Sequence, residues 1–246
     1  MIKSFSYMFK ESNFLKRFFI LLVFVLIANI LINLSGLLES LLGNSSIWYN
    51  IVLIFGYLCM FVPYGYSIEL LREHMQKKED SKLLDINILN NFKSGFKVVV
   101  SGLILLVSVI AIFLILGFIN RLLYQYGIVA SSFIHTLIFL IFLIISFFMI
   151  GMCDRYVVKP SWFNFVNFKA VVALINHDVA KYFKVYLLTA LSFIVTGIIS
   201  VISALFLMQA GLVGFVTYNI IISILWTYLT FVFAKLFSYA VDVDKI

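Results

Sequence analysis

Few side chains in this sequence could do chemistry, and most of them are neutral groups set in long apolar runs. Asn29 and Asn33 lie one helical turn apart, Asn219 lies in the last apolar run, and His135 lies near the start of the fourth. Polar groups are costly in lipid and are functional candidates by default. We predict that these four form an intramembrane polar site. The alternative is that the Asn pair only joins helices by hydrogen bonds and that His135 is an interfacial residue.

The remaining ionisable residues form no catalytic pattern. His177 and Asp178 are adjacent on a predicted helix, where neighbours do not face each other, and we expect them, like His74 and Asp154, on a solvated helix surface. The sequence has no HExxH motif, no paired-cysteine ligand set, no phosphate-binding glycine loop and no nucleophile elbow. We therefore expect no enzyme, and neither a metal nor a cofactor.

Composition places these residues in a membrane domain. The chain is 64% hydrophobic and 12% charged, whereas soluble domains average about 45–50% apolar and about 25% charged residues. We expect a single membrane domain over residues 1–246. The net charge of +7 lies beside the apolar runs, where it is typical of orientation signals and of contact with lipid headgroups rather than nucleic acid. Cys59 and Cys153 are expected as reduced packing residues.

Six runs are long enough to span a bilayer core, which needs about 20 mostly apolar residues per helix. They predict an all-α integral membrane protein with six transmembrane helices, at roughly 18–38, 47–71, 97–119, 129–152, 183–208 and 212–238.

The basic residues give these spans an orientation. Of the 18 Lys and Arg residues, all but Arg121 fall on one side of the predicted membrane. Because the cytoplasmic side carries the excess of Lys and Arg, we predict a multi-pass protein of the cell (plasma) membrane with both termini in the cytoplasm. The residues on that side are Lys3, Lys10, Lys16, Arg17, Arg72, Lys77, Lys78, Lys82, Lys93, Lys97, Arg155, Lys159, Lys169, Lys181, Lys184, Lys235 and Lys245.

A semi-polar segment precedes every second span. Each ends in aromatic and basic residues, at Lys16-Arg17-Phe18-Phe19, Phe96-Lys97-Val98-Val99 and Phe183-Lys184-Val185-Tyr186. A helix, a short turn and a second helix then follow. This predicts three tandem hairpins, with approximate repeat units 1–80, 81–160 and 161–246.

The segments before the third and fifth spans have helical apolar stripes. Apolar residues recur at steps of three and four between Ile86 and Lys97 and between Trp162 and Tyr182. Such a stripe favours a helix lying in the headgroup plane, so we predict an interfacial amphipathic helix before each hairpin. The alternative is a helix packed on the cytoplasmic surface of a protein partner.

Short motifs around the second and third spans resemble those of a known family. Pro63-Tyr64-Gly65-Tyr66 precedes Glu69-Leu70-Leu71-Arg72, and Phe92-Lys93-Ser94-Gly95-Phe96-Lys97 heads the third span. With the late Gly211–Tyr218 stretch, they resemble the prokaryotic multi-pass membrane family known as domain of unknown function 4013. The resemblance implies a multi-helix membrane protein without an established reaction. Its candidate motif positions here are Gly65, Tyr66, Phe92 and Gly95.

Together these features favour a non-enzymatic, permease-like or accessory membrane subunit, surrounded by membrane lipids and with a possible protein partner at its cytoplasmic face. One alternative is a self-standing transporter of a small solute or lipid, with a cavity lined by Asn29, Asn33, His135 and Asn219. Another is a membrane protein that gives immunity to a membrane-active toxin.

Overall fold

The computed structural model describes residues 5–42, 47–77, 83–123, 128–158, 161 and 167–240. Within these ranges the chain is helical and has no strand. A short 3-10 helix, Tyr7–Lys10, precedes the first α-helix, and another, Met208–Ala210, joins the last two. The α-helices are α1 (Phe14–Leu42), α2 (Ile47–Lys77), α3 (Ile88–Leu123), α4 (Ile128–Val158), α5 (Phe168–His177), α6 (Val179–Leu207) and α7 (Gly211–Ser238).

Four of the described helices are long and apolar enough to cross a membrane. They are Phe14–Gly36 within α1, Ile47–Gln76 within α2, and all of α6 and α7. Their lengths and compositions indicate a membrane protein, and the predicted all-helical fold is confirmed. Helices α3 and α4 cover the predicted third and fourth spans with 36 and 31 residues.

Helix α2 lies at the centre of the packing. It contacts α1, α3 and α7, and α7 also contacts α1 and α6. The first and last long helices therefore meet, although they are far apart in the sequence. Pro63 lies inside α2, which continues to Lys77.

The buried apolar core is concentrated at one end of the helices. There α1 and α6 begin and α2, α4 and α7 end; we call this the basic end, because Arg17, Arg72, Arg155 and Lys235 lie there. The core includes the fully buried side chains of Leu21, Tyr66, Leu70, Met152, Tyr182, Phe231 and Leu236. Away from it, large apolar side chains of α3 and α6 are exposed, as expected for contact with lipid.

The segments before the spans differ from one another. The segment Ile86–Lys97 forms no separate helix: α3 runs without a break from Ile88, where the side chain of Asn87 accepts a hydrogen bond from the backbone N–H of Asn90 (3.1 Å). The predicted interfacial helix there is therefore the first turns of α3.

A separate amphipathic helix does precede α6. Within the predicted segment Trp162–Tyr182, the residues 162–166 lie outside the described structure, and α5 occupies Phe168–His177. Asn167 caps its start by accepting a hydrogen bond from Ala170 N–H (3.2 Å). The Asp178 side chain then accepts one from Lys181 N–H (3.0 Å), and α6 begins. Asn167 therefore starts α5, and the cap at Asp178 separates α5 from α6 within the predicted segment.

Candidate functional site

Three of the four predicted intramembrane polar residues lie together between α1 and α7. The side-chain amide of Asn33 donates to Asn219 Oδ1 (2.8 Å), and that of Asn29 donates to Ser223 Oγ (2.9 Å). Asn219 and Ser223 are fully buried, and the Asn219 amide donates in turn to the Phe215 carbonyl oxygen (2.8 Å). We call Asn29, Asn33, Asn219 and Ser223 the amide seam. Its side chains are hydrogen-bonded to each other between α1 and α7. This is the arrangement described by the alternative interpretation, in which the Asn pair joins helices by hydrogen bonds.

His135 lies in α4, and its side chain is outside the part of the structure that is described. Its membership of the polar site stays a prediction. Ser223 was missed by the sequence analysis, although it lies four residues after Asn219 and thus on the same face of α7.

The two motif glycines meet where α2 crosses α3. A Cβ atom at Gly65 would overlap the carbonyl oxygen of Asn91, and one at Gly95 would overlap that of Phe61. Both residues are buried. The two backbones therefore approach more closely than any larger residue at either position would allow, which explains why glycines stand here.

The two motif aromatics line the same region. Tyr66 is fully buried, and its O–H donates to the Leu84 carbonyl oxygen (3.1 Å), which ties the chain before α3 to α2. Its ring packs edge-on against Phe231 of α7. Phe92 packs against Phe61 of α2, with ring centroids 5.3 Å apart. The motif positions thus form a helix-crossing site.

A short polar network lies on the same crossing. Ser94 of α3 donates to Glu69 Oε1 (2.7 Å), and Arg72 donates to Glu69 Oε2 (2.6 Å). Both oxygens of this carboxylate are bonded. The network therefore joins α2 to α3 beside the glycine contact.

Two residues expected on a solvated surface are buried. His74 is 2% exposed and Asp154 is 0% exposed, so that prediction was wrong for both, whereas His177 and Asp178 are exposed as expected. Helices α2 and α4, which carry His74 and Asp154, continue past the apolar runs from which their spans were predicted. The core of the basic end encloses these additional turns.

Asp154 has a single tyrosine partner. The O–H of Tyr182, at the start of α6, donates to Asp154 Oδ2 (2.9 Å), while Asp154 Oδ1 is buried without a hydrogen-bond partner. Burial raises the pKa of the Asp154 carboxyl well above its ordinary value, and the Tyr182 hydrogen bond partly opposes this. The pair joins α4 to α6.

His74 lies against the chain that precedes α1. Its Nε2 atom is 3.1 Å from the Tyr7 hydroxyl, which donates to the Phe231 carbonyl oxygen (3.2 Å), and Lys235 Nζ lies 5.7 Å from the centre of the Tyr7 ring. This group joins α2 and α7 to the N-terminal segment. Among the described residues, no group of three or more His, Cys, Asp or Glu side chains could hold a metal ion.

Comparison with known proteins gives one family. The family model described as Protein of unknown function (DUF4013) matches residues 49–207, well over half of the chain. The range contains all four motif positions, and the Gly211–Tyr218 stretch lies outside it. No curated protein and no solved structure gave a match.

Proposed function

The chain therefore belongs to the DUF4013 family, and from that premise we propose that it is a non-enzymatic, permease-like or accessory subunit of the cell membrane. It works with a protein partner that docks at its cytoplasmic face. The observation that carries this proposal is the packed core at the basic end, where buried apolar side chains of five long helices and α5 pack against each other.

The proposed topology has six spans and places the basic end in the cytoplasm. The lengths of α3 and α4, 36 and 31 residues, support two crossings in addition to the four apolar helices. The excess of Lys and Arg at one end supports the orientation. In this topology each of the hairpins α1–α2, α3–α4 and α6–α7 starts and ends in the cytoplasm.

Helix α5 supplies the proposed docking surface. Its inner face buries Val171, Leu174 and Ile175, with Val171 and Ile175 against Gly151 of α4. Phe168 begins the helix with its ring against Phe148 of α4 and is 46% exposed. On the outer face Val172 is 38% exposed, beside Lys169. A short helix fixed on one face, with apolar and basic side chains on the other, can contact a partner or the headgroup plane.

The geometry supports the accessory role better than self-standing transport. A transport site would need the polar side chains of the spans to face a solute. In the amide seam, Asn29 and Asn33 instead donate to Ser223 and Asn219 of the adjacent helix. These bonds use one of the two amide N–H donors of each Asn, and they fix α1 against α7.

The test is mild-detergent purification of the tagged full-length chain from its native membrane, with mass spectrometry of what remains bound. We expect a stoichiometric protein partner that is lost in Val172→Glu, which places a charge on the outer face of α5. The matched control is Lys10→Glu, a charge change at an exposed residue of the same end. A photo-crosslinking residue at position 172 should then form an adduct with that partner. Recovery of the wild-type chain alone, or as a homo-oligomer carrying a specific lipid, would contradict the accessory role.

A further inference from the structure

A basic cavity lies where α1 begins. Its volume is about 190 Å³, well above the volume of a single water. Asn13, Lys16, Arg17 and Ile20 line it from the start of α1, and Asp85 and Ile86 line it from the chain before α3. Both walls belong to the end of the molecule where the first apolar run meets the basic leader.

Arg17 is buried in the wall of this cavity with little compensation. Its side chain is 11% exposed, and its Nη2 atom donates to Asp85 Oδ1 (2.8 Å). The Nε–H group of Arg17 is buried and has no hydrogen-bond partner. A buried donor without an acceptor costs about 1–3 kcal/mol, and more for a charged group, so the hydrogen bond to Asp85 only partly compensates the burial of Arg17.

The counter-charge comes from a carboxylate that is itself in solvent. The side chain of Asp85 is 96% exposed. The hydrogen bond from Arg17, and then the Arg17 charge, lower the pKa of Asp85 below its ordinary value, which already leaves an exposed Asp ionised at neutral pH. Two cationic side chains and one carboxylate leave the lining with one net positive charge, which matches the single negative charge of a phosphodiester.

An apolar stripe continues from the cavity along α1. Lys16, Ile20, Val23 and Ile27 follow one another at helical spacing, so they lie on one face. Val23 is 53% exposed and Ile27 is 43% exposed. A ligand that placed a negative group beside Lys16 could therefore lay an apolar chain along the next three turns. This combination selects an amphipathic anion over a free inorganic one.

We propose that this cavity binds the headgroup phosphate of an anionic phospholipid. Lys16 and the guanidinium of Arg17 contact the phosphate oxygens, and the acyl chain lies along Ile20, Val23 and Ile27. Asp85 competes with the phosphate for Arg17 and sets how tightly the lipid is held. Charge-assisted contacts of this kind are the strong hydrogen bonds of proteins.

The test measures lipid affinity on the full chain in mild detergent. Phosphatidylglycerol is titrated and adducts are counted by native mass spectrometry, with phosphatidylcholine and inorganic phosphate as comparison probes. We expect Lys16→Gln to weaken phosphatidylglycerol binding by about tenfold, the loss of one charged contact. Asp85→Asn should tighten it several-fold, because the competing charge is removed. Lys10→Gln is the matched control, since Lys10 is exposed in the same leader and does not line the cavity.

The outcomes distinguish a lipid site, a site for free phosphate, and the absence of a site. Weaker binding in Lys16→Gln, tighter binding in Asp85→Asn and no change in Lys10→Gln would support the lipid site. Displacement of phosphatidylglycerol by millimolar inorganic phosphate would overturn the lipid assignment in favour of free phosphate. Equal binding by all four proteins would overturn the site itself. The readout uses the purified chain alone, so it does not depend on the proposed partner.

Discussion

Asp154 is a buried polar residue of the basic end that joins two helices by a hydrogen bond. It has no exposed surface, and the Tyr182 hydroxyl is the one hydrogen-bond donor that its carboxylate contacts in the described structure. A buried carboxylate is tolerated when donors satisfy it, so this single bond bears on the stability of the contact between α4 and α6.

Tyr182→Phe tests that bond. It removes the donating O–H and leaves both carboxylate oxygens of Asp154 buried without a partner, so we expect a loss of about 1–3 kcal/mol in the free energy of unfolding. The melting temperature in detergent should fall by several degrees. Tyr186→Phe is the control, because that hydroxyl lies one turn along α6, in a half-buried contact with Ser146 (3.2 Å). Equal melting temperatures for the two variants would contradict a stabilising role for the pair.

The sequence predicted some of these residues and missed others, for a physical reason. Asn29, Asn33 and Asn219 stood out because amides are rare in apolar runs, and the structure brings them together. Asp154 follows the predicted fourth span, where a charge usually meets water. Its burial depends on the packing of other helices against α4, including α6 with Tyr182, and periodicity within α4 carries no information on that.

At the scale of the elements, the crossing of α2 and α3 depends on two glycines. Each backbone occupies the space that a side chain on the other helix would need, and the polar network of Glu69 with Ser94 and Arg72 lies beside this contact. In lipid, such close approach is a principal source of helix association, because apolar side chains are not driven together by water.

Gly95→Ala should separate the two helices. The added methyl would overlap the Phe61 carbonyl oxygen, a backbone atom that cannot rotate away, and overpacking of this kind costs about 1–3 kcal/mol or more. Gly102→Ala is the matched control, since no atom lies within 4 Å of a Cβ at this position of the same helix. We expect a clear fall in melting temperature, by fluorescence-detected size exclusion after heating, for Gly95→Ala alone. Similar curves for the two variants would show that the crossing does not set stability.

Element boundaries were predicted less well than element type. The apolar runs gave the helices, yet α3 begins about nine residues before its predicted span and contains the segment expected as a separate interfacial helix. Periodicity cannot tell a helix that ends at the headgroups from one that continues through them. The caps at Asn87, Asn167 and Asp178 decide where helices start, and only the break between α5 and α6 divides a predicted segment.

At the scale of the whole molecule, packing is uneven between the two ends. The described core lies at the basic end, whereas α6, the least buried of the four candidate spans, exposes Ile198, Val201 and Leu205 on its outer length. A core at one end keeps the ends of the helices fixed there while the apolar outer lengths face lipid. This arrangement fits a subunit that offers a rigid cytoplasmic surface to a partner, provided that the basic end is cytoplasmic.

Cysteine accessibility tests two things together: whether the basic end is cytoplasmic, and how many spans the chain has. In a background with Cys59 and Cys153 replaced, single cysteines are placed at Lys10, Arg121, Lys169 and Gln209, which are all exposed and lie at or near the ends of helical segments. If the chain has six spans with cytoplasmic termini, Arg121→Cys and Gln209→Cys react with a membrane-impermeant maleimide in intact cells. Lys10→Cys and Lys169→Cys then react only after permeabilisation.

Arg121→Cys is the decisive position, because the other three give the same labels whether or not α3 and α4 cross the membrane. Arg121 is the one basic residue on the predicted outer side, and it lies in the last turn of α3, two residues before the helix ends at Leu123. Labelling from outside requires α3 to cross, and α4 must then return to bring Lys169 back to the cytoplasm. Protection of Arg121→Cys in intact cells, with Gln209→Cys labelled, would leave four crossings and place both middle helices on the cytoplasmic side. In that case the surface available to a partner would include α3 and α4 as well as α5.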